Sequence, residues 1–160
     1  MEYTITELPA QKFLVVKRNF TDSQQVPSFW DECSESGRLG ELCLRRPNGI
    51  CDLYGLCRKL NDTEFEYGIG IVLDVATNWM HQAEMHAKGM TQWDVPAGTY
   101  LALNCIGEDA SAVAAAWKWF YEEFLPNTEY NASDKTDIEI YPDVEKEGVF
   151  CKLLIPLEHK

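Results

Sequence analysis

The sequence predicts one α+β domain: an antiparallel sheet carrying two helices around a central cleft, built from two similar β-α-β-β halves related by a pseudo-two-fold axis. Three observations predict it. Residue patterns recur at a constant offset of 87 positions, apolar residues alternate along short segments bounded by Pro, and two stretches carry apolar residues at helical spacing. The domain spans 1–160, with half-repeats at about 1–74 and 90–160 and a connector at 75–89.

The offset sets Leu8-Pro9-Ala10 on Val95-Pro96-Ala97, and Phe13-Leu14-Val15-Val16 on Tyr100-Leu101-Ala102-Leu103. Trp30 falls on Trp117, and Cys51-Asp52-Leu53-Tyr54 falls on Ile138-Glu139-Ile140-Tyr141. Each half opens with two extended segments, 3–8 then 11–19 and 90–95 then 98–106. Pro9 and Pro96 mark the bends, because proline cannot donate to a sheet ladder. A helix follows in each half. The first has Pro27 near its start and Val26, Trp30, Cys33 and Gly37 at helical spacing. The second has Asp109 as cap, Val113, Trp117, Phe120 and Phe124 as its apolar stripe, and Pro126 as its stop. A hairpin closes each half, 50–58 with 65–74 and 136–142 with 148–157.

Composition narrows the function. Hydrophobic residues make up 46% and charged residues 25%, as expected of a folded globular chain. A net charge of −12 without any Lys/Arg cluster excludes a nucleic-acid surface, which needs clustered cations to displace counterions. No apolar run is long enough to span a membrane. The N-terminus lacks a basic segment followed by an apolar one, so the expected location is the cytoplasm. The six cysteines (Cys33, Cys43, Cys51, Cys57, Cys105 and Cys151) form no C-x-x-C pair, and several lie in apolar strands. Buried reduced thiols are expected there, with neither a zinc site nor disulfides. In the connector, His81 and His86 are five apart rather than the four that aligns two ligands on one helical face. A solvated connector is expected there, with no metal.

The segment Asp137-Ile138-Glu139-Ile140-Tyr141 is the most informative. Alternation puts Asp137, Glu139 and Tyr141 on one face, and the offset assigns Asp52 and Tyr54 to the corresponding face of the first half. Across a pseudo-two-fold junction these faces would floor a shared cleft. The same pattern also describes any half-exposed antiparallel strand. Five Trp, seven Tyr and seven Phe tilt the balance toward a pocket, although Trp30 and Trp117 also have a packing explanation on their helical stripes. A carboxylate desolvated among rings prefers a lipophilic cation: the acid needs a counter-charge, and each ring face adds about 0.5–2 kcal/mol.

These residues resemble the GyrI-like small-molecule-binding domains, also called the AraC-type effector-binding family. The matching features are Val95-Pro96-Ala97-Gly98-Thr99-Tyr100, Trp117, Ile138-Glu139-Ile140-Tyr141 and the closing Leu154-Ile155-Pro156-Leu157. The first half adds Leu8-Pro9-Ala10, Trp30 and Tyr54-Gly55. The resemblance implies a pseudo-symmetric cleft fold in which Glu139 stands at the charge-sensing position of members that bind cationic multi-ring drugs. It also implies kinship to ligand domains of multidrug-responsive transcription regulators, to a gyrase-inhibiting protein and to hydrolases of cyclopropane-bearing cytotoxins. A first strand at residue 3 leaves no helix-turn-helix, so the expected form is stand-alone, without direct DNA binding. Cys57 replaces part of the tyrosine-rich first hairpin of the family.

The leading expectation is a binding module for cationic, lipophilic aromatic compounds, needing no cofactor and no metal. Glu139 would supply the charge, and Tyr54, Tyr141, Trp30, Trp117 and Trp93 the walls. Two alternatives stay open. One is hydrolysis of a strained ring with Glu139 as base, which lacks a nucleophile–His arrangement. The other is interaction with a gyrase-like enzyme or a separate regulator, which the acidic surface permits.

Overall fold

The computed structural model describes residues 1–44, 52–73, 84, 86–142 and 148–160. The first half contains β1 (Tyr3–Leu8), β2 (Gln11–Phe20), α1 (Val26–Glu35), α2 (Arg38–Leu44), β3 (Leu53–Lys59) and β4 (Phe65–Val72). The second contains β5 (Thr91–Val95), β6 (Gly98–Ile106), α3 (Ser111–Trp119), β7 (Tyr130–Ala132), β8 (Asp137–Tyr141) and β9 (Val149–His159). A π-helical turn over Phe120–Phe124 and a 3-10 turn over Leu125–Asn127 continue α3. No helix among the described residues is long and apolar enough to cross a membrane.

The strands form one nine-stranded antiparallel sheet in the order β1-β6-β9-β8-β3-β4-β2-β5, with β7 added beside β9. Each half lends its first strand to the other: β1 pairs with β6, and β5 pairs with β2. That exchange has a geometric consequence. Only Pro9-Ala10 separates β1 from β2, and only Pro96-Ala97 separates β5 from β6, yet these partners lie toward opposite ends of the strand order. Two residues reach roughly 7 Å at full extension. The sheet must therefore curl until its ends meet. The curled face is filled by Phe13, Val15, Leu56, Trp93, Tyr100, Ile138 and Leu154, drawn from both ends and the middle of the order.

The helices pack on the other face. Helices α1 and α2 cover Leu14, Val16, Tyr67, Ile69 and Ile71, with Phe29, Cys33 and Leu42 as their buried residues. Helix α3 and its π turn cover Leu101, Leu103, Leu153 and Ile155 through Ala112, Ala116, Phe120 and Phe124. The small Ala112 and Ala116 let α3 approach the sheet closely and leave Trp117 at the side of the contact, only partly buried. Asp109 caps as expected, accepting from the Ser111 amide at 2.9 Å.

The structure corrects several expectations. The first half carries two helices among the described residues rather than one: Gly37, at φ 80°, ends α1 instead of joining its stripe, and α2 starts again at Arg38 to bury Leu42. Strand β7 is also additional. Cys33, Cys57, Cys105 and Cys151 are free, but Cys43 is disulfide-bonded. Trp79 and His81 of the connector lie outside the described residues, whereas Glu84, His86 and Ala87 are helical.

Candidate ligand-binding cleft

The helical layers stand on the same sheet face with a divide between them over β3 and β8. Leu53 pairs with Tyr141 across that junction, Leu53 packing with the α1–α2 core and Tyr141 with the α3 core. The same ladder sets Gly55 opposite Glu139 and Cys57 opposite Asp137. Strand alternation therefore gives the divide a floor of Asp137, Glu139 and Tyr141 on one side and Leu53, Gly55 and Cys57 on the other.

Gly55 makes this floor possible. A Cβ there would lie 2.1 Å from Tyr67 Oη and 2.5 Å from Glu139 Oε1, so only glycine leaves room for the two groups to meet. Tyr67 reaches over from β4 and donates to Glu139 Oε1 at 2.6 Å, and Tyr141 donates to the same oxygen at 3.2 Å. Trp30 of α1 donates through Nε1 to Tyr67 Oη at 3.0 Å. Its ring meets Tyr141 edge-on at 5.0 Å, and Tyr141 meets Phe150 edge-on at 5.7 Å. Across the divide, Trp117 stacks on Tyr121 at 5.8 Å.

The electrostatics of the floor follow from enclosure without a counter-ion. Burial pushes the Glu139 carboxyl above its ordinary range, against the downward pull of the Tyr67 and Tyr141 hydrogen bonds. Among the described residues no Lys or Arg pairs with it, and its second oxygen accepts no hydrogen bond. Burial, reinforced by the charge of Glu139, pushes Asp137 up to about 8. Burial and the same two acids push the Cys57 thiol up to about 12, so it stays protonated and neutral. Tyr67 and Tyr141 are raised as well, by burial first and by Glu139 next, which keeps them as hydrogen-bond donors.

Of the six residues predicted to line the site, the structure brings Glu139, Tyr141 and Trp30 into one hydrogen-bonded and ring-contact group, while Trp117 packs partly buried in the α3 layer against Phe120 and Tyr121. Tyr54 and Trp93 are elsewhere. Tyr54 pairs with Ile140, points to the curled face and packs on Phe13 at 5.1 Å. Trp93 is 4% exposed on that face, donating to Thr136 Oγ1 at 3.2 Å beneath the Arg58 guanidinium. The 87-residue offset misassigned Tyr54: β3 presents its odd-numbered residues to the cleft, so Gly55 and not Tyr54 shares the face of Glu139. Sequence reasoning missed Tyr67, whose signal was the alternation of Phe65, Tyr67, Ile69 and Ile71 along β4. A separate depression lies at the β1–β6–β9 end, lined by Met1–Thr4, Ala102, Leu103, Asn104 and Lys152, and contains none of the cleft residues. Among the described residues no three His, Cys, Asp or Glu side chains gather in a way that could hold a metal ion.

Fold and site together define an α+β effector-binding protein. Residues 4–157 match the Cass2 family, the integron-associated effector binding proteins, and the chain belongs to that family. Its fold is that of SAV2435, a structure solved with tetraphenylphosphonium bound (TM-score 0.80, 18% identity, 99% of this chain and 94% of that one). It is also similar to a putative transcription regulation protein from Staphylococcus aureus (TM-score 0.75, 17% identity, 99% of each chain). A third similar structure is the integron cassette protein VCH_CASS2 from the mobile metagenome of Vibrio cholerae (TM-score 0.64, 16% identity, 98% and 95%). None of the curated proteins matches.

Proposed function

We propose that this chain binds lipophilic aromatic cations in the cleft between its helical layers, with Glu139 sensing the ligand's charge. The observation that carries the reading is a carboxylate held by two phenols, flanked by Trp30 and Tyr141, with no cation beside it among the described residues. Such a group is costly to desolvate until a positive ligand arrives, so the cleft selects by charge before shape. The tetraphenylphosphonium found in SAV2435 supports the ligand class. The strand order supports the pseudo-two-fold expectation, since exchanging β1 with β5, β6 with β2, β9 with β4 and β8 with β3 reverses it onto itself. In that exchange the counterpart of Glu139 is its own ladder partner Gly55, so one acid serves both halves.

Titration with tetraphenylphosphonium is expected to quench tryptophan fluorescence with micromolar affinity, about −8 kcal/mol. Glu139→Gln keeps the shape and removes the charge, and should raise the Kd by at least about tenfold. An unchanged Kd would remove the charge-sensing role.

The direction of the pH dependence follows from the raised carboxyl. A cation needs the ionised acid, so affinity should fall on acidification, by up to about tenfold per pH unit below the carboxyl's folded-state value. Stability of the free protein should slope the other way. A carboxyl raised on folding contributes stability that is fully present below its unfolded pKa, about 4, and is lost as pH rises through the folded value, about 8 for Asp137. Parallel titrations and urea melts from pH 5 to 8 separate the two trends, and affinity that rises on acidification contradicts the reading.

One observation favours a second reading. A carboxyl raised by burial and oriented by phenols also suits a general base for water. Turnover of a strained-ring substrate, abolished by Glu139→Gln, would establish that activity. Binding across a substrate panel without turnover would retire it.

A further inference from the structure

We propose that the cleft is a two-acid site whose preferred ligands are elongated aromatic dications, with Asp137 holding the second cationic centre. This rests on the reading of Glu139 as the first. Asp137 and Glu139 stand two residues apart on β8 and on the same face, which sets their backbones roughly 7 Å apart. The two acids are not equivalent. Glu139 has two phenolic donors, whereas Asp137 accepts no hydrogen bond and pairs with no cation among the described residues. Its ladder partner is the neutral Cys57 thiol. Lys135, two residues earlier, directs its ammonium toward Gly98 on β6 instead. Asp137 is thus a largely enclosed acid left without a partner, opening onto the same divide as Glu139.

The groups facing Asp137 fix what would satisfy it. Glu139 lies along its own strand, Cys57 opposite on β3 and Tyr121 on the π turn after α3, while Tyr100 feels the same charge from the curled face of the sheet; the charge of Asp137 raises both phenols after burial does. None of these supplies a positive charge. Tyr121 is 56% exposed and stacked on Trp117, offering a ring face at the rim on the Asp137 side. Trp30 and Tyr141 offer rings at Glu139. A monocation over Glu139 leaves Asp137 to hold a proton, which its elevated pKa allows near neutral pH. A dication with its charges separated by a flat spacer of about this length neutralises both acids, and the two ring pairs flank its ends. A metal ion does not fit, because its ligands would have to converge on one point.

The test compares three probes at pH 8 by tryptophan fluorescence: tetraphenylphosphonium, a bis-quaternary 4,4′-bipyridinium, and its mono-quaternary analogue of the same shape. The wild type should bind the dication at least about tenfold more tightly than the monocationic analogue, the scale of one charge-assisted contact. Asp137→Asn, checked by Asp137→Ser and by circular dichroism for folding, should erase that preference, weakening the dication more than either monocation so that the two bipyridiniums bind within about threefold of each other. Glu139→Gln should weaken all three. Equal wild-type affinity for the two bipyridiniums overturns the second subsite while leaving the Glu139 reading intact. So does an Asp137→Asn effect that is the same for every probe. Failure of all three probes to bind overturns both readings together.

Discussion

Gly70→Ala should cost this protein about 4 kcal/mol, more than most single core truncations. Gly70 sits in β4 between β2 and β3, paired with Val15 on one side and Tyr54 on the other. A methyl there would lie 2.0 Å from the Leu14 carbonyl oxygen and 2.6 Å from Val15 Cγ1. The nearer obstacle is backbone in the neighbouring strand, with no flexible end to swing aside. Relief requires β2 and β4 to separate locally, losing ladder hydrogen bonds above the buried Phe13 and Val15. Gly40→Ala is the matched control. Gly40 lies within α2 with nothing within 4 Å of its added methyl, so alanine there should stabilise by about 0.5–1 kcal/mol. Urea midpoints at constant slope read both. A Gly70→Ala protein as stable as wild type would refute the close approach of β2 and β4.

Gly55→Ala should instead leave the fold largely intact and reduce affinity for tetraphenylphosphonium by about 10- to 100-fold, the loss of one charge-assisted contact at about 1.5–3 kcal/mol. The added methyl overlaps Tyr67 Oη and Glu139 Oε1, the two atoms whose 2.6 Å hydrogen bond orients the carboxylate. Both obstacles are side-chain ends, so the backbone can stay while the phenol and the acid are driven apart. Trp30 then loses the acceptor for its indole N–H as well. Tyr67→Phe removes the oxygen that the methyl meets most closely. The pair Gly55→Ala with Tyr67→Phe should therefore cost less than the sum of the two single changes, because one group is involved in both losses. Additive losses, or an affinity untouched by Gly55→Ala, would mean that the Tyr67–Glu139 contact does not shape the site.

Much of the fold was legible before any coordinates. Pro9 and Pro96 marked the bends, alternation located β1, β2, β5 and β6 within a residue and β3 and β4 within three, and Asp109 announced the start of α3. These are local effects, in which a residue's own chemistry decides its conformation. The misses were of another kind. Helix α2 follows a glycine turn that restarts the helix only because Leu42 has a core to enter. Tyr54 and Trp93 were grouped with Glu139 because aromatic content carries no information about which face a ring will occupy.

The sequence by itself determined that β8 alternates, with Asp137, Glu139 and Tyr141 on one side and Ile138 and Ile140 on the other, because side-chain direction along a strand has a period of two. Only the tertiary structure decided what that acid face would meet. The β3–β8 register set a glycine opposite Glu139, Tyr67 arrived from β4 and Trp30 from a helix, contacts spanning 72 and 37 residues of chain. Register depends on how whole strands bury their apolar faces, and a slip of one residue would have turned the acid away from its partners. The charge was written locally; its enclosure was a property of the assembled sheet.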